Sequence, residues 1–577
     1  MKSGMKSALM AGALAIAFCV GPRPLGAQNA AELFFPGDKE YKNTLLGAIR
    51  EGRVPDTNAF PLFGQEITGG GTIPPRSGLS ASFSTPSLYY DSPATQDDLA
   101  SNLVLDDALT TIAPHAFPEI QHFLGAVPDP INLEFRLYPS DSIAFKIDLF
   151  FNYRRDRITG QDSTFQWSLD EWLGNLIGAA EFPRKAYVAW AGEGYGVALG
   201  RFPSGMGWGK LTGSIMNPRA SWYDQARFYL DSGSLRFTSM LMTSSAQLSV
   251  AESEIQFRRM PDGGSFWDSL NDHDSAAADL ALKLATWHQV EWKPASWLNL
   301  AFTEMSVVGG RSPSLAFVLP SAIWHSAYAA GYSNVGAAIS AAAVPVPGIL
   351  VSGEFFIDDM RSADEPAYSK PAAFAWNGRT RWTQEFAEGL SLETGLEYQH
   401  VDRWTYVRWN PYLSMYQRQT LTGGYRSLDQ SLGAPWGPDY DSVGAYAGLD
   451  LKSGASLELS YEFIRKGPIY QGMAKKIVES DVNIDIDGDN FITGASVWVP
   501  VFYDYDRYAG DGALAAILAQ PDEYRHLVSL SGSMPLRSGI ELKLASTFGF
   551  YQNFGNTSGA TETAILVYIG VMAKLGQ

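Results

Sequence analysis

Segments that alternate between apolar and polar side chains over ten or more residues constrain the fold of this chain most. Between Ser142 and Arg154, one side of an extended chain carries Ile143, Phe145, Ile147, Leu149, Phe151 and Tyr153. The other side carries the polar residues Ser142, Lys146, Asp148, Asn152 and Arg154. Because successive side chains of a strand point to opposite faces, the pattern predicts a ribbon with one apolar and one charged face. Such a strand is long enough to cross a bilayer when tilted, which takes about 9–11 residues.

The same pattern recurs in later parts of the chain. One segment places Leu390, Leu392, Thr394, Leu396 and Tyr398 opposite Ser391, Glu393, Gly395, Glu397 and Gln399. Another places Leu457, Leu459, Tyr461 and Phe463 opposite Ser456, Glu458, Ser460 and Glu462. The last strand carries Ile565, Val567, Ile569, Val571, Ala573 and Leu575 on one face, with Lys574 on the other. Counting similar segments to the C-terminus predicts roughly 16–18 strands, and a closed bacterial barrel is expected to have an even number.

Composition separates a barrel from a helical membrane protein. Aromatic residues make up 13% of the chain and charged residues 18%, yet the mean hydropathy is −0.10. After the N-terminal region no apolar stretch reaches the roughly 20 residues that a membrane helix needs. A soluble β-sandwich or propeller shares this composition, but sandwich strands usually have about 5–6 residues. The predicted fold is therefore all-β, a transmembrane antiparallel barrel, with an interfacial aromatic girdle at Trp404, Tyr406, Trp409, Tyr412 and Tyr416.

The N-terminus has the pattern of a secretory signal. Lys2 and Lys6 precede an apolar run over 8–20, which is too short to span a bilayer as a helix. Cleavage after Gly26-Ala27 gives a signal peptide at 1–27 and predicts an outer-membrane location with loops at the cell surface. The single cysteine, Cys19, lies inside the run, so the mature chain contains no thiol. Acylation of Cys19 is the alternative, but Phe18 stands where a lipid-attachment signal requires a small residue.

The segment 28–130 differs in composition from the strands that follow and predicts a periplasmic cap of helices and loops. Asp38 caps a predicted helix at 39–51, with Gly52 just after its end. The Gly/Pro/Ser-rich stretch 69–86 is predicted as loop, and 103–109 and 117–123 as short helices. The barrel is expected over 131–577, with long loops at 251–279, 344–347, 360–368 and 475–493.

A series of short motifs resembles the capsule assembly Wzi family. The first group is Leu199-Gly200-Arg201, Trp208-Gly209, Asn217-Pro218 and Asp224. The second is Gly353-Glu354-Phe355-Phe356-Ile357-Asp358-Asp359, Leu432-Gly433 and Gly437-Pro438-Asp439-Tyr440-Asp441-Ser442. The predicted helix at 38–51 and the following Gly52-Arg53-Val54 resemble the N-terminal helical element of the same proteins. These matches are ordered along nearly the whole chain.

The resemblance implies an outer-membrane barrel with a small helical cap that acts as a lectin-like anchor for exported polysaccharide. It implies ligand-binding roles for Arg201, Trp208, Arg219, Asp224, Arg227, Glu354, Asp358, Asp359, Asp439 and Asp441. The alternative for these charged residues is a structural one, as salt bridges across the barrel interior. Acidic polymers would favour arginine contacts, whereas neutral sugars would favour aromatic stacking with carboxylate acceptors.

One acidic loop has the spacing of a calcium site. Asn483, Asp485, Asp487 and Asp489 alternate as the oxygen ligands of a calcium loop do, with Gly488 available for the turn. Position twelve is Gly494 instead of the usual glutamate, which favours the alternative explanation, a solvated acidic loop. No other cofactor is expected.

Catalysis has little support in the sequence. The seven histidines are scattered without metal-ligand spacing, and neither a nucleophile elbow nor a phosphate loop is found. The formal net charge of −18 disfavours nucleic acid as a partner. The expected partners are outer-membrane lipid, surface polysaccharide and the barrel-assembly machinery. A solute-conducting porin and a surface adhesin remain alternatives to the polysaccharide anchor, and a plugged lumen would favour the anchor over the porin.

Overall fold

A computed structural model describes most of the chain. The described residues are 29–67, 77–84, 88–91, 127–128, 130–153, 176–178, 185–220, 222–244, 283–309, 333–361, 363–364, 370–387, 389–408, 413–421, 426–470, 472–477, 484–485, 491–492, 496–506 and 510–575. The predicted signal peptide and the short helices predicted at 103–109 and 117–123 lie outside these residues.

Antiparallel strands close into a barrel, as the alternating segments predict. The first nine strands are β1 (Gly78–Ser84 and Leu88–Asp91), β2 (Ile131–Ser140), β3 (Ile143–Tyr153), β4 (Leu176–Gly178 and Ala186–Gly192), β5 (Tyr195–Phe202), β6 (Tyr223–Asp231), β7 (Leu235–Ser244), β8 (Lys283–Ala295) and β9 (Leu298–Val308). The second nine are β10 (Ser333–Val346), β11 (Ile349–Asp359), β12 (Ala373–Ala387), β13 (Leu390–Val401), β14 (Tyr440–Asp450), β15 (Ser456–Lys466), β16 (Glu523–Arg537), β17 (Ile540–Gln552) and β18 (Thr561–Leu575). The barrel has 18 strands, within the predicted range.

The barrel closes through its first and last strands. Both halves of β1 pair with β18, which joins the two ends of the sheet. The barrel therefore begins at Gly78 and not at residue 131, so β1 comes from the segment expected to form the cap. The sequence Gly78–Ser84 is rich in serine, and its interruption before Leu88 leaves two short pieces. Neither piece has the long alternation that identifies the other strands.

The outer wall of the barrel is apolar. In β3 the side chains of Phe145, Ile147 and Leu149 are 39%, 43% and 43% exposed, whereas Ala144 and Asp148 face inward and are buried. The same orientation holds in β13, where Leu396 points outward. A closed sheet with an apolar outer surface satisfies its backbone hydrogen bonds within the wall, as a structure in lipid must.

Outward-facing aromatic residues lie towards both ends of the wall, at Trp292, Trp297, Trp382 and Phe386 on one side and Trp376 and Tyr398 on the other. The girdle predicted from residues 404–416 was wrong for the three members that the structure describes. Tyr406 and Tyr416 are buried inside the barrel and Trp404 packs against a buried cluster, while Trp409 and Tyr412 lie outside the described residues. A loop that turns into the lumen and a strand end at the membrane interface are both rich in aromatic residues, so composition does not distinguish them.

The two ends of the barrel differ in their connections. At one end, here called the short-turn end, the strands are joined by the short connections at 141–142, 193–194, 232–234, 296–297, 347–348, 388–389, 451–455 and 538–539. The opposite end, the long-loop end, carries most of the long connections. The loop prediction at 344–347 was wrong for 344–346, which end strand β10, and only Pro347 belongs to the tight turn at the short-turn end.

Residues 29–67, here called the N-terminal segment, lie at the short-turn end. Helix α1 spans Lys39–Arg50, within one residue of the predicted 39–51, and Gly52 follows with a φ of 76°. Asp38 is the N-cap residue, but its carboxylate accepts a hydrogen bond from the Phe35 amide at 2.7 Å and none from the helix. The segment also contributes the short strands Leu33–Phe34, Ala59–Phe60 and Leu62–Phe63, of which Ala59–Phe60 pairs with Gly205–Met206.

Smaller elements follow the wall strands at the long-loop end. They are the strand pairs Tyr416–Leu421 with Arg426–Ser431, Met473–Ile477 with Ser496–Pro500, and Ile484–Asp485 with Phe491–Ile492, together with helix α2 at Ala513–Leu518. In the described part of the chain, no helix has the length and apolar character needed to cross a membrane.

Candidate functional site

The lumen contains a segment of the chain itself. Residues 203–220, here called the inserted segment, connect β5 to β6 and fold inward instead of extending from the rim. Its apolar side chains are buried, among them Met206, Trp208, Leu211, Ile215 and Met216. A connection of this length at the rim would be solvated, so its burial requires partners for its backbone polar groups.

Glu397 supplies the largest share of those partners. It points inward from β13, and its carboxylate accepts hydrogen bonds from the backbone amides of Lys210, Leu211 and Thr212 at 2.9, 3.0 and 2.9 Å. The Thr212 hydroxyl donates a fourth bond at 2.8 Å. The buried Arg379 guanidinium lies 4.0 Å from the same carboxylate. One buried charge is thereby satisfied by four donors and a neighbouring cation, which is the condition for a stable buried carboxylate.

Glu354, a residue implied in ligand binding, also accepts hydrogen bonds from backbone amides, at residues 214–215 of the inserted segment. From β11 it accepts the amide N–H of Ser214 at 2.6 Å and that of Ile215 at 3.1 Å. The Gln399 side chain on β13 accepts from the Gly213 amide at 3.0 Å and donates to the Gly213 carbonyl at 2.9 Å. One carboxylate oxygen of Glu354, Oε1, is therefore used by the chain itself.

Apolar packing closes the lumen around these polar contacts. The Trp287 indole donates to the Ile215 carbonyl at 3.0 Å, and the Tyr406 hydroxyl donates to the Ser214 carbonyl at 2.6 Å. These side chains belong to one continuous buried cluster that includes Met240 on β7, Phe356 on β11 and Tyr568 on β18. The cluster connects strands from different parts of the wall through the barrel interior, so the described residues fill the lumen at this level.

The N-terminal segment fills the short-turn end by a different kind of contact. Lys42 of helix α1 lies 2.6 Å from Asp450 and 3.7 Å from Glu393, and Arg50 lies 3.5 Å from Glu385. These ion pairs join the helix to wall strands β12 to β14. Trp208 of the inserted segment packs against Leu46, Ile49 and Val54 of the N-terminal segment. The two segments therefore meet inside the barrel.

Deeper in the barrel the N-terminal segment contacts buried charges of β6 to β8. Glu291 accepts hydrogen bonds from the Thr57 hydroxyl at 2.6 Å and the Asn58 amide at 2.9 Å. The Glu66 carboxylate pairs with Arg236, which is fully buried. Arg227, a residue implied in ligand binding, donates to the Phe60 carbonyl, while its Nε and second terminal nitrogen have no hydrogen-bond partner among the described residues.

Three of the residues implied in ligand binding do not face the lumen. Arg201 and Asp224 lie in the outward row of β5 and β6, next to the long-loop end, and form a paired contact with N–O distances of 2.7 and 2.8 Å. The Arg201 guanidinium stacks on the Trp222 ring at 3.8 Å. Asp441 points outward from β14, where His400 lies 2.6 Å away and Arg465 donates to it at 2.8 Å.

The remaining implied residues lie near the long-loop end. Asp358 pairs with the buried Lys370 at 2.6 Å and accepts the Tyr406 amide at 2.6 Å. Burial lowers the pKa of the Lys370 amine, although the Asp358 carboxylate acts in the opposite direction. Three more ion pairs lie at this end. Asp359 is 3.6 Å from Arg408, and Asp439 is 3.4 Å from Arg403. Arg219 pairs with Glu462.

The implied residues therefore divide into lumen contacts and outward rim contacts, and they do not converge on one site. Motif matching missed Glu397, Glu291 and Arg236, which hold the two segments in place. The inward side of β13 does carry Glu393 and Glu397 in the alternating pattern, so the sequence marks these carboxylates as interior groups. It contains no signal that pairs them with amides almost two hundred positions away.

The calcium prediction stays a prediction. Asn483, Asp487 and Asp489 lie outside the described residues, and Asp485 belongs to the short strand Ile484–Asp485. In the described part of the chain, no group of three or more His, Cys, Asp or Glu residues is arranged to hold a metal ion.

Comparisons with known proteins agree with this architecture. No protein-family model matches the chain, and no curated protein matches it in sequence. Among solved structures, the chain is similar to Wzi of Escherichia coli, an outer membrane protein involved in group 1 capsule assembly and a carbohydrate-binding β-barrel. That likeness covers 95% of this chain and all of Wzi, with a TM-score of 0.50 and 10% identity.

Two other solved structures match less well. OccD3 (OpdP) of Pseudomonas aeruginosa has a TM-score of 0.36 at 10% identity and covers 93% of this chain and 98% of its own. The DcaP channel of Acinetobacter baumannii has a TM-score of 0.32 at 9% identity, with 86% of this chain and 96% of its own covered. At 10% identity the likeness to Wzi establishes the fold alone, which is that of an outer-membrane β-barrel.

Proposed function

We propose that the protein is a non-enzymatic barrel of the bacterial outer membrane that binds exported surface polysaccharide at its long-loop end. The proposal places the long loops at the cell surface, where the longer connections of bacterial barrels normally lie. Its partners would be outer-membrane lipid, the polysaccharide and, during biogenesis, the barrel-assembly machinery. The motif series that resembles the capsule assembly Wzi family, and the carbohydrate binding described for Wzi itself, supply the ligand class.

The filled lumen is the observation that carries the proposal. A solute channel needs a continuous aqueous path, with polar groups lining it. Here the inserted segment is held across the interior by Glu354 and Glu397, and an apolar cluster surrounds it. The N-terminal segment occupies the short-turn end as well. An anchor needs only its loops and rim to be accessible, so a filled interior is compatible with binding and unfavourable for conduction.

Two measurements on the same refolded protein test the proposal. The first is single-channel conductance in a planar bilayer, with a general porin as the positive control. The second is retention of the source organism's own surface polysaccharide by the protein in lipid vesicles, with dextran as the control glycan. We expect no steady conductance and saturable retention of the native polysaccharide only.

Other outcomes favour the alternatives. Large, steady conductance that the polysaccharide does not change would make the protein a porin. Absence of both conductance and glycan retention, together with retention of a host or neighbouring-cell protein, would make it an adhesin.

A further inference from the structure

The outer wall has a depression near the long-loop end, where lipid would otherwise meet a ridged apolar surface. It has a volume of about 510 Å³ and extends over β4 to β7. The small residues Ala186, Gly200 and Ala226 line it together with Leu199 and Leu241, and the polar Gln225 and Thr243 also line it. Leu199 is 53% exposed and belongs to the outward row of β5, which shows that the depression opens to the membrane side.

The depression has a polar border on the side of the long loops. Arg201 lies next to Leu199 in the outward row, and both of its bonds to Asp224 use Nε and one terminal nitrogen. The other terminal nitrogen of Arg201 makes no hydrogen bond to a described residue. The Arg201 and Asp224 side chains are 21% and 42% exposed. The Trp222 ring stacks on the Arg201 guanidinium and fixes its position.

The height of this border matches that of the headgroup layer. On another part of the wall, the outward residues His400, Asp441 and Arg465 also lie within two residues of the strand ends at the long-loop end. Charged side chains facing a bilayer are tolerated at the interface and are costly in the hydrocarbon. The apolar depression below Arg201 therefore lies at the depth of acyl chains, and Arg201 at the depth of lipid headgroups.

We propose that this depression binds one phosphorylated glycolipid of the outer leaflet. An acyl chain fills the space over Ala186 and Ala226, because a void in the wall would forfeit dispersion contacts and cannot be filled by water in the bilayer. The free Arg201 N–H groups donate to the lipid phosphate, an acceptor that guanidinium groups match well. The exposed Asp224 oxygens accept sugar hydroxyls, which a plain phospholipid lacks. The groove continues the lipid-facing surface, so its occupant is a lipid and not a soluble ligand.

Native mass spectrometry of the protein, released from nanodiscs, tests the assignment. The probes are diphosphoryl lipid A and phosphatidylglycerol, offered separately at equal concentration. We expect one lipid A to remain on the wild-type barrel, with about tenfold weaker retention for Arg201→Gln, since a hydrogen bond to a charged group is lost. Ala226→Leu fills the depression and should lower retention similarly. Ala447→Leu adds the same side chain at an exposed outward position of β14 and should have no effect.

Folding of each variant is confirmed by its shift in mobility on heating before electrophoresis. Equal retention of lipid A by folded Ala226→Leu and by the wild type would overturn the proposal. Equal retention of phosphatidylglycerol and lipid A would overturn the glycolipid assignment. These results are independent of polysaccharide binding, which the vesicle retention assay measures at the loops, so the two proposals can fail separately.

Discussion

The inserted segment and the N-terminal segment both fill the barrel, but they are held in different ways. The inserted segment is tied to the wall at both of its ends, through β5 and β6, and its backbone amides donate to the buried carboxylates of Glu354 and Glu397. The N-terminal segment precedes β1, and its residues 57–60 bond to the buried Glu291 and Arg227, whereas its helix α1 is joined to the wall by side-chain ion pairs. Two of these, at Lys42 and Arg50, are partly exposed to solvent.

This difference indicates which part of the filling is permanent. Buried carboxylates that accept several backbone amides cannot be lost without orphaning those amides, so the inserted segment belongs to the core of the folded barrel. Partly exposed ion pairs contribute less and are screened by salt, so helix α1 of the N-terminal segment can be loosened while the barrel stays intact. A change in the first segment should affect the whole molecule, and a change in the second should act locally.

The largest effect is expected for Glu397→Ala. The substitution removes the acceptor of four hydrogen bonds and leaves the amides of Lys210, Leu211 and Thr212 buried. Each buried orphan costs about 1–3 kcal/mol, so we expect the free energy of unfolding to fall by at least about 3 kcal/mol. Urea unfolding in lipid vesicles measures the change. The exposed Glu51 provides the control, because Glu51→Ala removes a carboxylate whose one ion pair within the described residues is with the exposed Arg53.

An unchanged urea midpoint for Glu397→Ala would contradict the assignment of the inserted segment to the core. The same variant should give intermittent conductance in a planar bilayer if it folds, because the segment would no longer be fixed across the lumen. Wild-type protein, measured in the same bilayer, is the reference.

A smaller and more local effect is expected for Glu66→Ala. The substitution removes the main partner of the buried Arg236 and also the acceptor of the Phe63 amide, which donates at 2.8 Å. Glu291 and Asp231 stay within 3.9 and 3.6 Å of Arg236, so we expect a loss of about 2 kcal/mol, below the range for a buried pair that loses its only partner. Limited proteolysis should cut the N-terminal segment while the barrel keeps its heat-shifted mobility.

Glu40→Ala, on the exposed side of helix α1, is the matched control for this variant. If Glu66→Ala lost the heat-shifted mobility of the barrel together with the protease resistance of the N-terminal segment, the contacts of that segment would be needed by the whole molecule and not only locally.

The sequence predicts the wall better than its contents, and the reason is physical. Because successive side chains of a strand point to opposite faces, the sequence alone assigns Leu396 and Glu397 to opposite faces of the wall. The helix at Lys39–Arg50 is also a local pattern. Contacts inside the lumen join distant positions, and nothing local marks residues 210–212 as the donors to Glu397. The same limit explains why β1, with its short pieces, was assigned to a cap.

The motif resemblance had a similar limit. It identified Glu354 and Arg201 as important positions, but a motif does not state which face of a strand its residues occupy. An odd or even offset along the strand decides between lumen and membrane. The offset places Glu354 inside and Arg201 outside, so residues grouped by the resemblance carry out separate tasks in the structure.

The smallest effect, and the sharpest test of the comparison, is expected for Lys42→Ala. Lys42 is 27% exposed and pairs with Asp450, which is 37% exposed, so the loss should not exceed about 1 kcal/mol. Because salt screens such pairs, the rate of proteolysis of the N-terminal segment should differ between this variant and wild type at about 0.01 M salt and converge at about 1 M. The exposed Lys39 serves as the control, since Lys39→Ala removes the same charge without a described ion pair. A difference that persists at high salt would show that Lys42 acts through packing of its aliphatic chain, and the N-terminal segment would then be held more like the inserted segment than its ion pairs indicate.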